Sequence, residues 1–246
     1  MTVLDKDGVI AMATALQEGT PQEQGAAAEV GGLQMAVISL RASQDGERIG
    51  VSLELCDTAR GLRERQLLAV STELFADLGI AKGSISPNAY DALLHASQLT
   101  EAMRRAVSML GYGANSARSL EQKLRARGFT ARVATQAVAR LADKGYLREA
   151  SDACRVAQRS LDKGWGMRRI LDDLRHRGYD ADAVEQAREV LSEEDFYERC
   201  ACAARKKSPV PPTDIQEKRK LTDFLMRYGY GSDQIRYALQ HAWQME

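Results

Sequence analysis

The residues of this chain best suited to chemistry are arginines and lysines that recur at matching positions in its second half. Arginine binds carboxylates and phosphates through its planar fork, and lysine binds them as a point charge. Such a set favours an acidic protein surface or nucleic acid as the partner. The candidate partner-binding residues are Arg118, Lys123, Arg125, Arg127, Arg168, Arg169, Arg175, Arg177, Arg219, Lys220 and Arg227.

These cations belong to a pattern that occurs three times, Arg-x-[Leu/Ile]-x-x-x-Leu-x-x-x-Gly-[Phe/Tyr]. Its glycines are Gly128, Gly178 and Gly229, which lie 50 and 51 residues apart (178−128 and 229−178). A period near fifty indicates an array of like units. Apolar residues four apart share one face of a helix, and a glycine after the last turn ends a helix with a positive φ. The pattern therefore predicts a helix and a tight turn three times over.

An aromatic residue and an N-cap candidate follow each glycine, which predicts that another helix begins there. The aromatic residues are interpreted as core rather than as platforms for stacked bases, because a side chain at this position folds back onto the apolar face. The three pairs are Phe129 with Thr130, Tyr179 with Asp180, and Tyr230 with Ser232.

Two interpretations of the patterned cations stay open. Cations near a helix C-terminus, such as Arg127 and Arg177, are favourable there without any partner. The arginine that opens each pattern lies at a helix start, where a cation is mildly unfavourable, and this leaves a binding role equally open. Trp165 also has two readings, an anchor for a partner or packing between units.

Composition and motifs argue against an enzyme. Residues 1–95 carry 7 Lys and Arg against 13 Asp and Glu, a net −6, and residues 96–246 carry 27 against 21, a net +6. This bias is milder than the basic stripe of a simple duplex-binding protein. No Gly-x-Ser-x-Gly, His-Glu-x-x-His or phosphate-loop motif occurs, and the three histidines have no ligand spacing. The four cysteines are expected to be reduced and mostly buried, so neither a metal nor a cofactor is expected.

The first third of the chain predicts a tail and a small α/β module. Residues 1–33 are expected to form a disordered tail, with a weak helix at Val9–Leu16. Residues 35–95 predict a module that contains a β-hairpin, because β-rich runs flank Asp45-Gly46. A helix is predicted over Gln66–Leu78, with Gly79 as its end, then a turn or short strand over 80–86 and a helix starting near Pro87.

The remainder predicts a mainly α fold of tandem three-helix repeats that resemble helix-turn-helix units. The expected repeats are 97–147, 148–192 and 193–246, and the third contains a proline-rich insertion at 208–213. Asp214 and Glu217 predict a capping box after this insertion. No apolar run reaches the length of a membrane span and no secretory signal is present, so a cytoplasmic monomer is expected.

The pattern also carries a resemblance to the RecX regulatory proteins. The first repeat is similar in the run 112–116 (Tyr-Gly-Ala-Asn-Ser), in Gly128-Phe129 and in Gly145-Tyr146-Leu147. The second repeat is similar in the run from Gly164 to Gly178. The resemblance covers roughly residues 35–245. It implies a non-enzymatic protein that lodges in the groove of the RecA–single-stranded-DNA filament and restrains RecA's ATPase, strand exchange and co-protease activity, in DNA repair and the SOS response.

Two rival hypotheses accompany that reading. One is a module whose tandem helix-turn-helix-like units bind single- or double-stranded DNA directly. The other is a helical scaffold for an unrelated partner. Direct binding through several phosphates weakens steeply with salt, which separates the first rival from filament binding.

Overall fold

A computed structural model describes residues 33–57 and 61–244 of the chain. The tail expected over residues 1–33 lies almost wholly outside this part, as does its helix at Val9–Leu16. The chain divides into two compact units, one of residues up to 105 together with 128–137, and one of residues 106–127 together with those from 138 onward.

The first unit contains an antiparallel sheet of four strands in the order β3-β2-β1-β4. The strands are β1 (Leu33–Ala42), β2 (Arg48–Asp57), β3 (Leu62–Ser71) and β4 (Gly83–Ile85). The turn from β1 to β2 confirms the predicted hairpin, and Gly46 adopts φ +69° in it. The Asp45 carboxylate accepts the Glu47 N–H at 3.0 Å, which holds this turn closed.

The helix predicted over Gln66–Leu78 is wrong in its first half. Residues up to Ser71 belong to β3, which pairs with β2 along its whole length, and only α1 (Thr72–Leu78) is helical. Leu68 and Val70 are buried whereas Leu67 is 75% exposed, so burial alternates as it does in a strand. The short apolar run allows either structure, and pairing with β2 decides between them. Gly79 ends α1 at φ +60°, as predicted.

Helix α2 (Pro87–Tyr112) begins at the predicted proline and runs without a break through residues 95–97, where the sequence analysis placed a domain boundary. Its first part packs in the first unit, where Leu93 and Ala102 are fully buried. The Thr100 hydroxyl accepts the Ser71 N–H at 2.8 Å and so joins the helix to the end of β3. The expected repeat boundaries remain a prediction.

The rest of the chain is helical, as predicted. The helices are α3 (Ala117–Ala126), α4 (Ala131–Asp143), α5 (Glu149–Asp162), α6 (Met167–His176), α7 (Ala181–Ser192), α8 (Phe196–Lys207), α9 (Ile215–Arg227) and α10 (Ser232–His241). The proline-rich insertion at 208–213 is not helical, as expected. Each of the three pattern glycines has a positive φ: +92° at Gly128, +82° at Gly178 and +92° at Gly229.

Most of the predicted helix starts are confirmed. Thr130 and Asp180 accept N–H groups of the helices that follow them, at 3.3 and 2.7 Å. Ser232 is not an N-cap: it is the first residue of α10, and Gly231 takes the cap position while the Gln234 side chain accepts its N–H at 2.8 Å. The Gln234 amide thus binds the N–H of the cap residue itself, and no cap side chain accepts an N–H of the first turn.

The capping box predicted at the start of α9 is half formed. Asp214 accepts the Glu217 N–H at 2.7 Å, as predicted. The Glu217 carboxylate accepts the Thr213 N–H at 3.0 Å instead of that of Asp214, so it binds one residue before the cap.

One hydrophobic core runs through α5–α10 in the second unit. Leu161, Leu174 and Leu225 are almost fully buried in it, and so is Tyr230, whose hydroxyl donates to the Gly164 carbonyl at 2.9 Å. Tyr179 is also buried, while Phe129 in the first unit is half-buried, so the interpretation of these aromatic residues as packing groups holds. Across the described ranges, no helix is long and apolar enough to cross a membrane.

Candidate functional site

Helices α3, α6 and α9 carry nine of the eleven candidate partner-binding residues, and the other two, Arg127 and Arg177, are the C-cap residues of α3 and α6. All three helices belong to the second unit. Short apolar stripes bury one face of each helix: Leu120 and Leu124 in α3, and Leu221 and Leu225 in α9. The cations between these positions are therefore directed outward. Ten of the eleven are exposed, and Arg169 is half-buried.

The start of α3 packs against the end of α6, a contact that we term the first junction. The Ser116 hydroxyl donates to the Arg177 carbonyl at 2.6 Å and also caps α3 by accepting the Ser119 N–H at 3.1 Å. A Cβ on Gly178 would lie 3.1 Å from the Cβ of Arg118. The stem of Arg118 thus packs on the turn after α6, and Arg118 and Arg177 come together there.

A carboxylate also contributes to the first junction. Glu149, the first residue of α5, accepts the Ala117 N–H at the start of α3. Burial raises the pKa of the Glu149 carboxyl, and the neighbouring carboxyl of Asp180 raises it further by hydrogen bonding and charge repulsion. No local sequence signal marks Glu149, because its partner lies 32 residues away.

The start of α6 meets the end of α9 in the same way, and this contact is the second junction. The Gly166 N–H donates to the Tyr228 carbonyl at 2.7 Å. A Cβ on Gly166 would lie 2.5 Å from the Gly229 carbonyl oxygen, and a Cβ on Gly229 would lie 2.5 Å from the backbone nitrogen of Arg169. The two backbones approach so closely that only glycine fits at either position.

Arg169 is the centre of the second junction. Its guanidinium lies 4.0 Å from the centroid of the Trp165 ring and 5.3 Å from that of Tyr228, and it donates to the Arg227 carbonyl at 3.1 Å. A second cation also contacts Trp165: the Lys163 ammonium lies 5.5 Å from the centroid of its ring. Trp165 is half-buried and packs against the core. Of the two readings of Trp165, the structure favours packing, here against the core of the second unit and under Arg169.

The other candidate cations differ in the groups to which their side chains bind. Arg175 and Arg177 form ion pairs with Asp172 and Asp173, at 2.9 and 2.6 Å. Lys123 donates to the Asn115 side chain, Arg127 to the Lys123 carbonyl and Arg227 to the Asp223 carbonyl. Over residues 33–57 and 61–244, no hydrogen bond or ion pair is found for the side chains of Arg118, Arg125, Arg168, Arg219 and Lys220.

The structure brings these candidates together only at the two junctions. Arg118 lies beside the end of α6, and Arg168 lines a cavity of about 340 Å³ with Arg175, Gly229 and Gly231. Lys123, Arg125 and Arg127 lie towards the C-terminal end of α3, while Arg219 and Lys220 lie in the first half of α9. At Gly128 a Cβ would meet open space, unlike at Gly178 and Gly229.

The described part of the chain contains no metal centre, and its one buried cysteine is unreactive. The four cysteines are free thiols; Cys200 is buried and the other three are half-buried, so fewer are buried than expected. Burial raises the pKa of Cys200 to about 12, which keeps it protonated and unreactive. Within the same residues, no group of three or more His, Cys, Asp or Glu side chains is placed to hold a metal ion.

Two family models match this chain. The model of the RecX first three-helix domain matches residues 102–141, and that of the RecX third three-helix domain matches residues 193–239. These stretches include the patterned helix of the first repeat, and that of the third.

Curated relatives agree with the family models. The regulatory protein RecX of Xanthomonas campestris pv. campestris (strain B100) is 32% identical over 137 residues, which are 55% of this chain and 84% of that protein. The regulatory protein RecX of Stenotrophomonas maltophilia (strain R551-3) is 29% identical over 140 residues, which are 56% of this chain and 85% of that protein.

Two solved structures share the fold. A crystal structure of regulatory protein RecX superposes with a TM-score of 0.65 at 15% identity, covering 84% of this chain and 98% of that one. The crystal structure of RecX from Lactobacillus salivarius gives a TM-score of 0.51 at 17% identity, covering 60% of this chain and 98% of that one.

Proposed function

The chain belongs to the RecX family of regulatory proteins, and we propose on this premise that it binds the filament that RecA forms on single-stranded DNA. In the groove of that filament it inhibits RecA's ATP hydrolysis, strand exchange and co-protease activity, and so regulates recombination, DNA repair and the SOS response. The proposal includes no catalytic step and no cofactor. It takes the chain to act as a cytoplasmic monomer with three repeats, at 97–147, 148–192 and 193–246.

The observation that supports this proposal most directly is the set of exposed candidate cations on α3, α6 and α9 whose side chains have neither a hydrogen bond nor an ion pair within the described residues. Five side chains meet this description within the described ranges: Arg118, Arg125, Arg168, Arg219 and Lys220. A cation with no internal partner keeps its full charge for an acidic protein surface or for phosphate. A filament of protein and DNA offers both.

The candidate cations divide into two groups with different expected roles. Arg169 is held by Trp165, Tyr228 and the Arg227 carbonyl, so its replacement changes packing as well as charge. Arg168, its neighbour in sequence, is exposed. Arg125 on α3 is exposed as well. Arg125 and Arg168 are therefore the residues with which binding is tested without disturbing the fold.

The test is RecA's ATPase on single-stranded DNA, with the parent chain or the double variant Arg125→Glu/Arg168→Glu titrated in. A reversed charge replaces attraction by repulsion, and two such changes weaken inhibition by about tenfold or more if the contacts are desolvated. The matched control is Arg236→Glu, an exposed arginine of α10 outside the pattern. It is expected to inhibit as the parent does, and all variants keep the parent's helical circular dichroism.

Inhibition by the double variant equal to that of the parent would place the binding surface elsewhere. A parent that leaves RecA's ATPase unchanged would contradict the proposal itself. Salt-sensitive oligonucleotide binding in the absence of RecA that is lost in the Arg125→Glu/Arg168→Glu variant would instead favour direct DNA binding by the patterned helices.

A further inference from the structure

The end of α2 and the exposed face of α5 enclose a cavity that the patterned helices do not share. Its volume is about 460 Å³, and its lining is mostly polar. Tyr112 and Tyr146 line it, and they are 91% and 59% exposed. A tyrosine ring this exposed has no packing role in its own fold, so it is free to stack on a partner.

Hydrogen bonds of the backbone and of Asn115 fix the segments that carry the two tyrosines. After α4, Gly145 adopts φ +75° and the Tyr146 N–H donates to the Leu141 carbonyl at 2.9 Å, while the next residue, Leu147, is buried. After α2, the Asn115 amide donates to the Gly113 carbonyl at 2.8 Å and to the Met109 carbonyl at 3.2 Å. Both rings therefore stand on ordered backbone, which lowers the entropy lost when a ligand binds.

A stripe of charge on one face of α5 forms the other wall. Asp152, Arg155 and Arg159 are spaced three and four residues apart, which places them on one face of α5, and Arg148, the N-cap residue just before the helix, lines the same cavity. Asp152 is paired with Arg155, whereas no ion pair is found in the described ranges for Arg148 and Arg159. The stripe is net positive and roughly 16 Å long, at about 1.5 Å per residue over 11 residues (159−148).

We propose that this cavity binds single-stranded nucleic acid, with bases stacked on Tyr112 and Tyr146 and phosphates on Arg148 and Arg159. Aromatic rings beside a basic track are how proteins hold a single strand without reading its sequence. A duplex does not fit this chemistry, because its bases are stacked on each other and offer no free face. An acidic peptide would engage the arginines but would leave the two rings without a matching group.

The proposal goes beyond filament inhibition, since it concerns nucleic acid alone and residues outside the pattern. It is tested without RecA, by fluorescence anisotropy of a labelled oligothymidylate and of an oligomer of equal length made of abasic sites. The second probe keeps the phosphates and lacks the bases. The parent is expected to bind the oligothymidylate more tightly than the abasic oligomer.

Each of the variants Tyr112→Ala and Tyr146→Ala is expected to weaken oligothymidylate binding by roughly 5- to 150-fold, the range for one stacked base. Neither variant changes binding of the abasic oligomer. Tyr112→Phe keeps the ring and binds as the parent does. Arg159→Glu weakens binding of both oligomers, because it acts on phosphate, and the control Arg236→Glu changes neither by a comparable factor.

Tyrosine variants that bind the oligothymidylate as the parent does, or that lose both oligomers equally, would overturn the proposal. Variants that keep oligonucleotide binding and lose only binding to the RecA filament would also overturn it, since the cavity would then bind protein. Because RecA is absent from the oligonucleotide assay, failure here leaves filament inhibition standing, and failure of inhibition leaves this site standing.

Discussion

The two junctions between patterned helices use the same geometry and different chemistry. In each, the carbonyl just before a pattern glycine, at Arg177 or at Tyr228, accepts a hydrogen bond from the residue that caps the preceding patterned helix. At the first junction the donor is the hydroxyl of Ser116. At the second junction the donor is the backbone N–H of Gly166, and no side chain lies between the two backbone segments.

Because of this difference, the two junctions differ in how well they tolerate a side chain at the pattern glycine. At the first junction, side-chain atoms separate the turn at Gly178 from the backbone of α3. The nearest atom to a Cβ on Gly178 is therefore the Arg118 Cβ, at 3.1 Å. The second junction closes to backbone contact, and aromatic rings and a guanidinium then cover it. The first junction depends on polar groups, one of them titratable, and the second depends on exclusion of any side chain at two glycines.

The largest effect we predict is from alanine at the pattern glycines. Gly128, Gly178 and Gly229 all have a positive φ, which costs an L-residue about 1–2 kcal/mol. Gly229→Ala adds a clash with the backbone of Arg169, and overpacking of this kind costs about 1–3 kcal/mol more. Urea unfolding should therefore rank the loss of stability as Gly229→Ala, then Gly178→Ala, then Gly128→Ala.

Gly128→Ala is the matched control, because its φ equals that of Gly229 and its surroundings are open. Equal losses of stability for Gly128→Ala and Gly229→Ala would mean that backbone strain alone sets the cost. The close contact between Gly229 and Arg169 would then add nothing.

A second prediction concerns the guanidinium at the second junction. Arg169→Ala removes the contacts with two aromatic rings and the bond to the Arg227 carbonyl, a loss of about 2 kcal/mol of folding free energy. Arg168→Ala, the adjacent exposed arginine, should stay within about 0.5 kcal/mol of the parent. Urea unfolding followed by circular dichroism measures both. Similar stabilities for the two variants would remove Arg169 from the account of this junction.

The smallest effect is the pH response of the first junction. The pKa of Glu149 is raised in the folded chain above its usual value of 4.5, so folding favours the protonated carboxyl. Its contribution to stability is present below about pH 4.5 and is lost as the pH rises through the raised pKa. Glu149→Gln keeps an acceptor for Ala117 and cannot ionise. It should flatten this part of the stability–pH curve.

The control for the pH response is Glu193→Gln, which changes a carboxyl for which no ion pair or hydrogen bond is found among the described residues. A stability–pH curve for Glu149→Gln that runs parallel to the parent's from pH 4.5 upward would show that Glu149 is not the titrating group.

Sequence patterns identified most of the helical half and part of the module before it. The helix over Ala131–Asp143 and the positive φ of Gly178 follow from local signals, namely apolar spacing and a glycine stop, and both are confirmed. The stretch Gln66–Ser71 was assigned to a helix, because a short apolar run has no period of its own and its pairing with β2 is not local.

The candidate site shows the same division. The sequence marked the cations of the patterned helices, but Arg168 and Arg169 are indistinguishable in it. Only the approach of α9 buries one against Trp165 and leaves the other exposed. Tyr112 and Tyr146 belong to the runs that carry the family resemblance, but the sequence does not show that their rings are exposed, because exposure is a property of the packed chain and not of the residue type.

The sequence by itself determined that this chain is mainly helical, that its pattern recurs with a period near fifty, and to which family it is related. These properties depend on residues within one helix and its caps, where neighbours in sequence are neighbours in space. The tertiary structure alone decided which glycine admits no side chain, which carboxyl has a raised pKa and which arginine is free. Each of these depends on an atom more than thirty residues away, such as the Arg169 nitrogen at Gly229 or the Ala117 N–H at Glu149.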